Sequence, residues 1–252
     1  MAGRGDVLVV LLFLALLVAG SVVPLPAGET HADPVAARFD RPRSSLQTTR
    51  LVSLDEAPPP AVRWRRSRVV GGPGGGRLER GVLLPYEGEH HFTYDGVLRR
   101  KPNRAWRRWG SDKLIRMLLG VLDRYATLYP DAPRVGVGDL SRPGGGPFGP
   151  EYGGIGHMTH QNGLDVDVYY PRKDRREEEP QAVEQIDRDL AQALVDLFVA
   201  AGAQTIFVGE HTRLRGPRRV VRELVHHDDH LHIRISRRWP QQSDRPPSAA
   251  GE

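Results

Sequence analysis

The feature that most constrains this chain is the stretch His157-Met-Thr-His160-Gln-Asn-Gly-Leu-Asp165-Val-Asp167-Val-Tyr-Tyr170, which gathers two imidazoles and two carboxylates. From Leu164 onward, apolar and polar residues alternate. Leu164, Val166, Val168 and Tyr170 face one way, and Asp165, Asp167 and Tyr169 face the other. A period of two predicts a strand with its apolar face on the core and its acidic face outward. A second segment, Val225-His-His227-Asp-Asp-His230-Leu-His232-Ile-Arg234, ends in the same alternation, with His230, His232 and Arg234 on one face. Six of the ten histidines lie in these two segments.

The chain has no cysteine. Disulfides, thiol nucleophiles and cysteine-held metals are therefore excluded, and any metal must take nitrogen and oxygen ligands. Zinc accepts imidazole and carboxylate, and a catalytic site leaves one of four positions open, so two His and one Asp make a full protein set. His160 stands just before the first strand and Asp167 within it. Gly163 between them permits a tight turn, so both can approach one ion. The third ligand must come from elsewhere, and the late strand suits it, because side chains two apart share a face; spacing alone admits both His230 and His232. A lone His-x-His is more often a surface or core pair, and a lone Asp-x-Asp a solvated strand face. Their joint occurrence is hard to explain as packing, because buried charge needs a partner.

The 252 residues suffice for one domain with tails. Residues 1–28 carry an uncharged apolar run, Val7 to Val23, followed by small residues. This predicts a secretory signal or an amino-terminal anchor, and hence an extracytoplasmic location. Residues 29–80 show no sustained period; Pro58-Pro-Pro60, Gly71-Gly-Pro-Gly-Gly-Gly76 and the arginines from Arg63 to Arg68 read as a linker. Residues 81–238 form the expected domain, and 239–252 a polar, disordered tail. The net charge of +5 rests on arginine, since Lys101, Lys113 and Lys173 are the only lysines. A basic surface suits a polyanion, but the Arg63–Arg68 run has only Trp64 among it, and no nucleic-acid partner is expected. No integral membrane partner is evident either.

Within the domain, Leu114, Ile115, Leu118, Val121, Leu122 and Tyr125 predict a helix from Asp112 to about Leu128, with Ser111 at its start. Val183, Ile186, Leu190, Leu194, Leu197 and Phe198 predict a second over Pro180–Gly202. Short strands are expected at Arg134–Gly138 and Thr205–Val208. Ser141 to Pro150, rich in glycine and proline, reads as a wall or lid beside the site. The fold class is α+β, a central antiparallel sheet with two main helices packed on it and the zinc site on the sheet face.

Three segments in order, Gly138-Asp-Leu-Ser-Arg-Pro-Gly-Gly-Gly-Pro147, His157-x-x-His160-Gln-x-Gly-Leu-Asp-Val-Asp167 and His227-x-x-His230-x-His232-x-Arg234, resemble the penicillin-insensitive murein endopeptidases. These are grouped with the lysostaphin, D-Ala-D-Ala metallopeptidase and hedgehog-type zinc peptidases. The resemblance spans roughly Gly81 to Arg238. It implies a zinc metallopeptidase that hydrolyses the D-alanyl–diaminopimelate cross-link of peptidoglycan. It also implies His160, Asp167 and His232 as zinc ligands, with His157, His227 and His230 lining the site. On that basis His230 is the expected general base, assisted by His227. Asp165 is expected to orient a ligand histidine, and Arg234 to hold a substrate carboxylate or lie at the surface. Two other functions fit the same residues: a D,D- or L,D-carboxypeptidase on uncross-linked stems, and a non-catalytic zinc-containing wall-binding protein.

Overall fold

The computed structural model describes residues 61–149 and 158–240. The expected export segment, the linker before residue 61, His157 and the tail beyond residue 240 lie outside the described residues. In chain order the elements are β1 (Arg68–Val70), β2 (Arg77–Glu79), β3 (Val82–Leu83), β4 (His91–Thr93), β5 (Trp109–Gly110), α1 (Asp112–Leu128), β6 (Val135–Val137), β7 (Asp165–Tyr169), α2 (Arg188–Ala200), β8 (Thr205–Val208), β9 (Val221–Glu223) and β10 (His230–Arg234).

Helix α1 forms where its apolar spacing places it. Ser111 caps it, its side chain accepting from the Leu114 amide at 3.2 Å. All six apolar positions that predicted the helix are buried. Helix α2 is shorter than its apolar spacing implies. It begins at Arg188 because the Asp187 carboxylate accepts from the Leu190 amide and so caps it there. Val183–Gln185 forms a separate 3-10 turn, and Ile186 is buried in extended conformation, bridged to Arg172.

The main sheet has the order β4-β6-β7-β10-β8-β9. Its central pairs, β6–β7, β7–β10 and β10–β8, are antiparallel. Each edge strand joins in parallel, β4 on β6 and β9 on β8, so the sheet is mixed and the class is α+β. Val166, Val168, Leu231 and Ile233 enter one apolar cluster with Leu118 and Leu122 of α1 and Leu194 and Phe198 of α2. The alternate residues of β7 and β10 therefore emerge on the opposite face.

That opposite face is not solvated, which corrects the expectation of an outward acidic face. Asp165, Asp167 and Tyr169 are 0%, 4% and 8% exposed. The segments carrying Tyr94, Phe148 and His160 pack over this face and keep water from its acidic residues.

The structure also differs from the linker reading near residues 68–80. There β1 and β2 pair as an antiparallel hairpin. Leu78 is 1% exposed, and its amide donates to the Gly144 carbonyl at 3.0 Å. It packs on Gly163, which has φ +75° and where a Cβ would lie 2.8 Å from both Leu78 methyls. The glycine-rich hairpin turn is thus part of the domain, with the Gln161 amide donating to the Pro73 carbonyl at 3.0 Å. Replacing Leu78 with Ala should cost about 2–5 kcal/mol in urea unfolding, as for a buried leucine. A linker residue would cost almost nothing.

Candidate metal centre

Strands β7 and β10 build the centre through their register. Asp167 lies opposite His232, Asp165 opposite Arg234, and Tyr169 opposite His230. In an antiparallel pair, opposed side chains share a face, so the ladder presents both carboxylates to the imidazoles across it. His160 enters from the turn before β7. Its backbone is left-handed, at φ 66°, a conformation that costs a non-glycine residue roughly 1 kcal/mol. Its Nδ1 donates to the Leu140 carbonyl at 2.9 Å, which turns Nε2 toward the two strands.

Three atoms then converge. His160 Nε2 is 3.2 Å from His232 Nδ1 and 3.3 Å from Asp167 Oδ1, and His232 Nδ1 is 3.2 Å from Asp167 Oδ1. Tetrahedral ligands at zinc distances of about 2.0–2.1 Å stand about 3.3–3.4 Å from one another. The near-equilateral triangle therefore fits three corners of such a site. All three residues are buried, so they form a metal-capable group inside the protein and not a chance surface cluster.

The atoms behind the triangle fix which nitrogen faces it. His232 Nε2 donates to Asp165 Oδ1 at 2.9 Å, leaving Nδ1 for the centre. Asp165 is held in turn by Arg234 Nε at 2.6 Å. A carboxylate behind a histidine fixes its tautomer and raises its basicity. The guanidinium of Arg234 is thus turned to Asp165. Asp167 is steadied through its backbone, its amide donating to the Asp139 carbonyl at 2.9 Å. Asp139 itself accepts from Asn103 and Arg107.

Around the triangle stand His227 and His230, with ring centroids 4.8 Å apart. His230 Nε2 lies 3.7 Å from Asp167 Oδ1, while its Nδ1 donates to Asp229 Oδ1 at 2.7 Å. His227 Nδ1 donates to the Val225 carbonyl at 2.8 Å. Phe207 of β8 lies beside both His227 and His232, and Phe148 stands edge-on to His160 at 6.5 Å. The glycine-rich stretch after Leu140 thus places an aromatic ring against the centre. Asp229, Phe207 and the Leu140 carbonyl are contacts that the ligand spacing did not point to. Asp229 had a signal in the sequence, a carboxylate directly before His230.

The electrostatics follow from burying two carboxylates beside imidazoles. Burial pushes the Asp165 and Asp167 carboxyls up, but the neighbouring histidines outweigh it and hold both below the usual carboxylate range. For His232, burial disfavours the charged ring, yet hydrogen bonds to Asp165 and Asp167 raise its pKa to about 9. His230 is raised as well; burial opposes this, and Asp167 and Asp229 prevail. His227 is lowered, first by burial, against the pull of its Val225 hydrogen bond.

Residues 69–205 match the family described as penicillin-insensitive murein endopeptidase, which is more than half of the chain. The match includes His160 and Asp167 and ends before β10. No curated protein matches the chain. Among the described residues no helix is long and apolar enough to cross a membrane.

Protonation of His232 makes a prediction for the metal-free protein. An unfolded histidine titrates near 6.5, and the folded value is about 9. The resulting stabilisation is complete below the unfolded value and is lost as pH rises through about 9, a change on the order of 3 kcal/mol. The depressed aspartates contribute throughout this window, since they stay ionised. Urea unfolding in chelator should show lower stability at pH 9.5 than at pH 6.5. His232→Gln should show a much smaller difference.

Proposed function

Since the chain belongs to the penicillin-insensitive murein endopeptidase family, we propose that it hydrolyses the D-alanyl–diaminopimelate cross-links of peptidoglycan with a zinc ion held by His160, Asp167 and His232. The observation that carries this reading is the triangle of His160 Nε2, Asp167 Oδ1 and His232 Nδ1, with edges of 3.2–3.3 Å. One carboxylate and two imidazoles, two of them anchored from behind, suit zinc better than a hard cation that prefers oxygen. Peptidoglycan lies outside the cytoplasm, which agrees with reading residues 1–28 as an export segment.

When bound, zinc supplies a Lewis acid that polarises the scissile carbonyl and makes water more acidic. The chain's own residues do the rest. Asp165 holds His232 in the tautomer that presents Nδ1, and Arg234 keeps Asp165 ionised and in place. His230 turns Nε2 to the centre, 3.7 Å from Asp167 Oδ1, because its Nδ1–H is committed to Asp229. It takes a proton from the attacking water at Nε2 and returns it to the leaving amine. His227, with Nδ1–H given to Val225, has an acceptor at Nε2 that orients the amine N–H beside His230. Phe148 and Phe207 limit water around the ligands.

Digestion of purified peptidoglycan, with products identified by mass, tests the reading. Cross-linked dimers should fall to monomers, and chelator should stop the reaction. Loss of a terminal D-Ala alone would mark a carboxypeptidase instead. His160→Ala, Asp167→Ala and His232→Ala should each lose stoichiometric zinc. His230→Ala should keep zinc and lose about 10²–10⁴-fold in kcat. Loss of zinc from the His230 variant would reverse the assignment of base and ligand.

A further inference from the structure

The carboxylate next to His230 has no part in the donor triangle, yet it makes one of the shortest contacts around it. Asp229 Oδ1 accepts from His230 Nδ1 at 2.7 Å. A carboxylate can only accept, so the proton of that bond sits on Nδ1, and in the neutral ring Nε2 is a lone pair. The rest of the surroundings hold the ring in that attitude. Tyr169 meets it edge-on at 6.4 Å, and His227 lies at 4.8 Å. The Asp229 backbone is itself anchored, because the Tyr170 amide donates to the Asp229 carbonyl at 3.2 Å. The adjacent acid is used differently. Asp228 turns to the loop after β8, where its two oxygens take His211 Nδ1 at 2.6 Å and the His211 amide at 3.1 Å. The two consecutive acids therefore separate, one fastening the turn from outside and one gripping the imidazole that faces the centre.

We propose that Asp229 is a positioning residue, holding His230 as the Nδ1–H tautomer with the Nε2 lone pair aimed at the metal centre. Without it the ring can take the opposite tautomer, in which Nε2 bears a proton and cannot accept one. The inference rests on the reading of His230 as the base. It extends that reading to a residue outside the donor triangle, one whose side chain is about 40% exposed and whose removal should leave no deep cavity.

The test uses the zinc-loaded full chain. Asp229→Ala should keep one zinc and the wild-type melting temperature and leave KM within about twofold. Its kcat should fall about 10–100-fold, part of what a general base supplies. Asp229→Leu decides between positioning and mere packing. It fills similar space but offers Nδ1 no acceptor, so it should not restore kcat. Nitrogen-15 spectra should show the His230 proton on Nδ1 in the wild type and shifted toward Nε2 in Asp229→Leu. Wild-type kcat in Asp229→Leu, or an unchanged tautomer, would overturn the proposal. The two readings fail separately. A fully active His230→Ala would remove His230 as base and the catalytic part of this proposal with it. An inactive His230→Ala beside a fully active Asp229→Ala would remove the positioning role alone.

Discussion

The pairing of β7 with β10 is the constraint on which the rest depends. One register sets Asp167 against His232 and Asp165 against Arg234. A slip of one residue would send these side chains into the apolar layer beneath and lift Val166, Val168, Leu231 and Ile233 onto the site. The hydrophobic face therefore does more than stabilise the sheet. By requiring Val166, Val168, Leu231 and Ile233 to meet the helices, it forces the alternate positions into the geometry of the donor triangle.

Having forced two carboxylates into a nearly dry place, the fold must balance them. It does so in layers, with His160 and His232 against Asp167, then His232 and Arg234 against Asp165. Each acid meets more than one donor, and each imidazole of the triangle is tethered through the nitrogen that faces away from it. The left-handed backbone of His160 belongs to the same economy of placement. A residue that would relax elsewhere is kept there by the Leu140 carbonyl behind it and the hairpin turn beside it.

Much of this was legible in the sequence where periodicity is long. Helix α1 and strand β7 follow from seventeen and five residues of clear pattern. The pairing of His160 with Asp167 was visible in spacing. Choosing between His230 and His232 was not, because both share a strand face. The physical difference is which nitrogen each has committed: Asp165 takes Nε2 of one, and Asp229 takes Nδ1 of the other. The β1–β2 hairpin was hidden for another reason. Three-residue strands carry no usable period, and Gly71 to Gly76 has linker composition. Its order comes from partners far along the chain, Gly144 and Gly163. Alternation tells which residues share a side, and not what covers that side, so it predicts an outward acidic face where the structure has a covered one.

The sequence distance within the triangle also has a temporal consequence. His160 and His232 touch although 72 positions separate them. A chain is made from its amino end, so the ribosome has released both α helices and nearly the whole sheet before the last donor emerges. A nascent chain holding only His160 and Asp167 has two of the three donors. The donor triangle is therefore completed only once β10 has been made and has paired with β7.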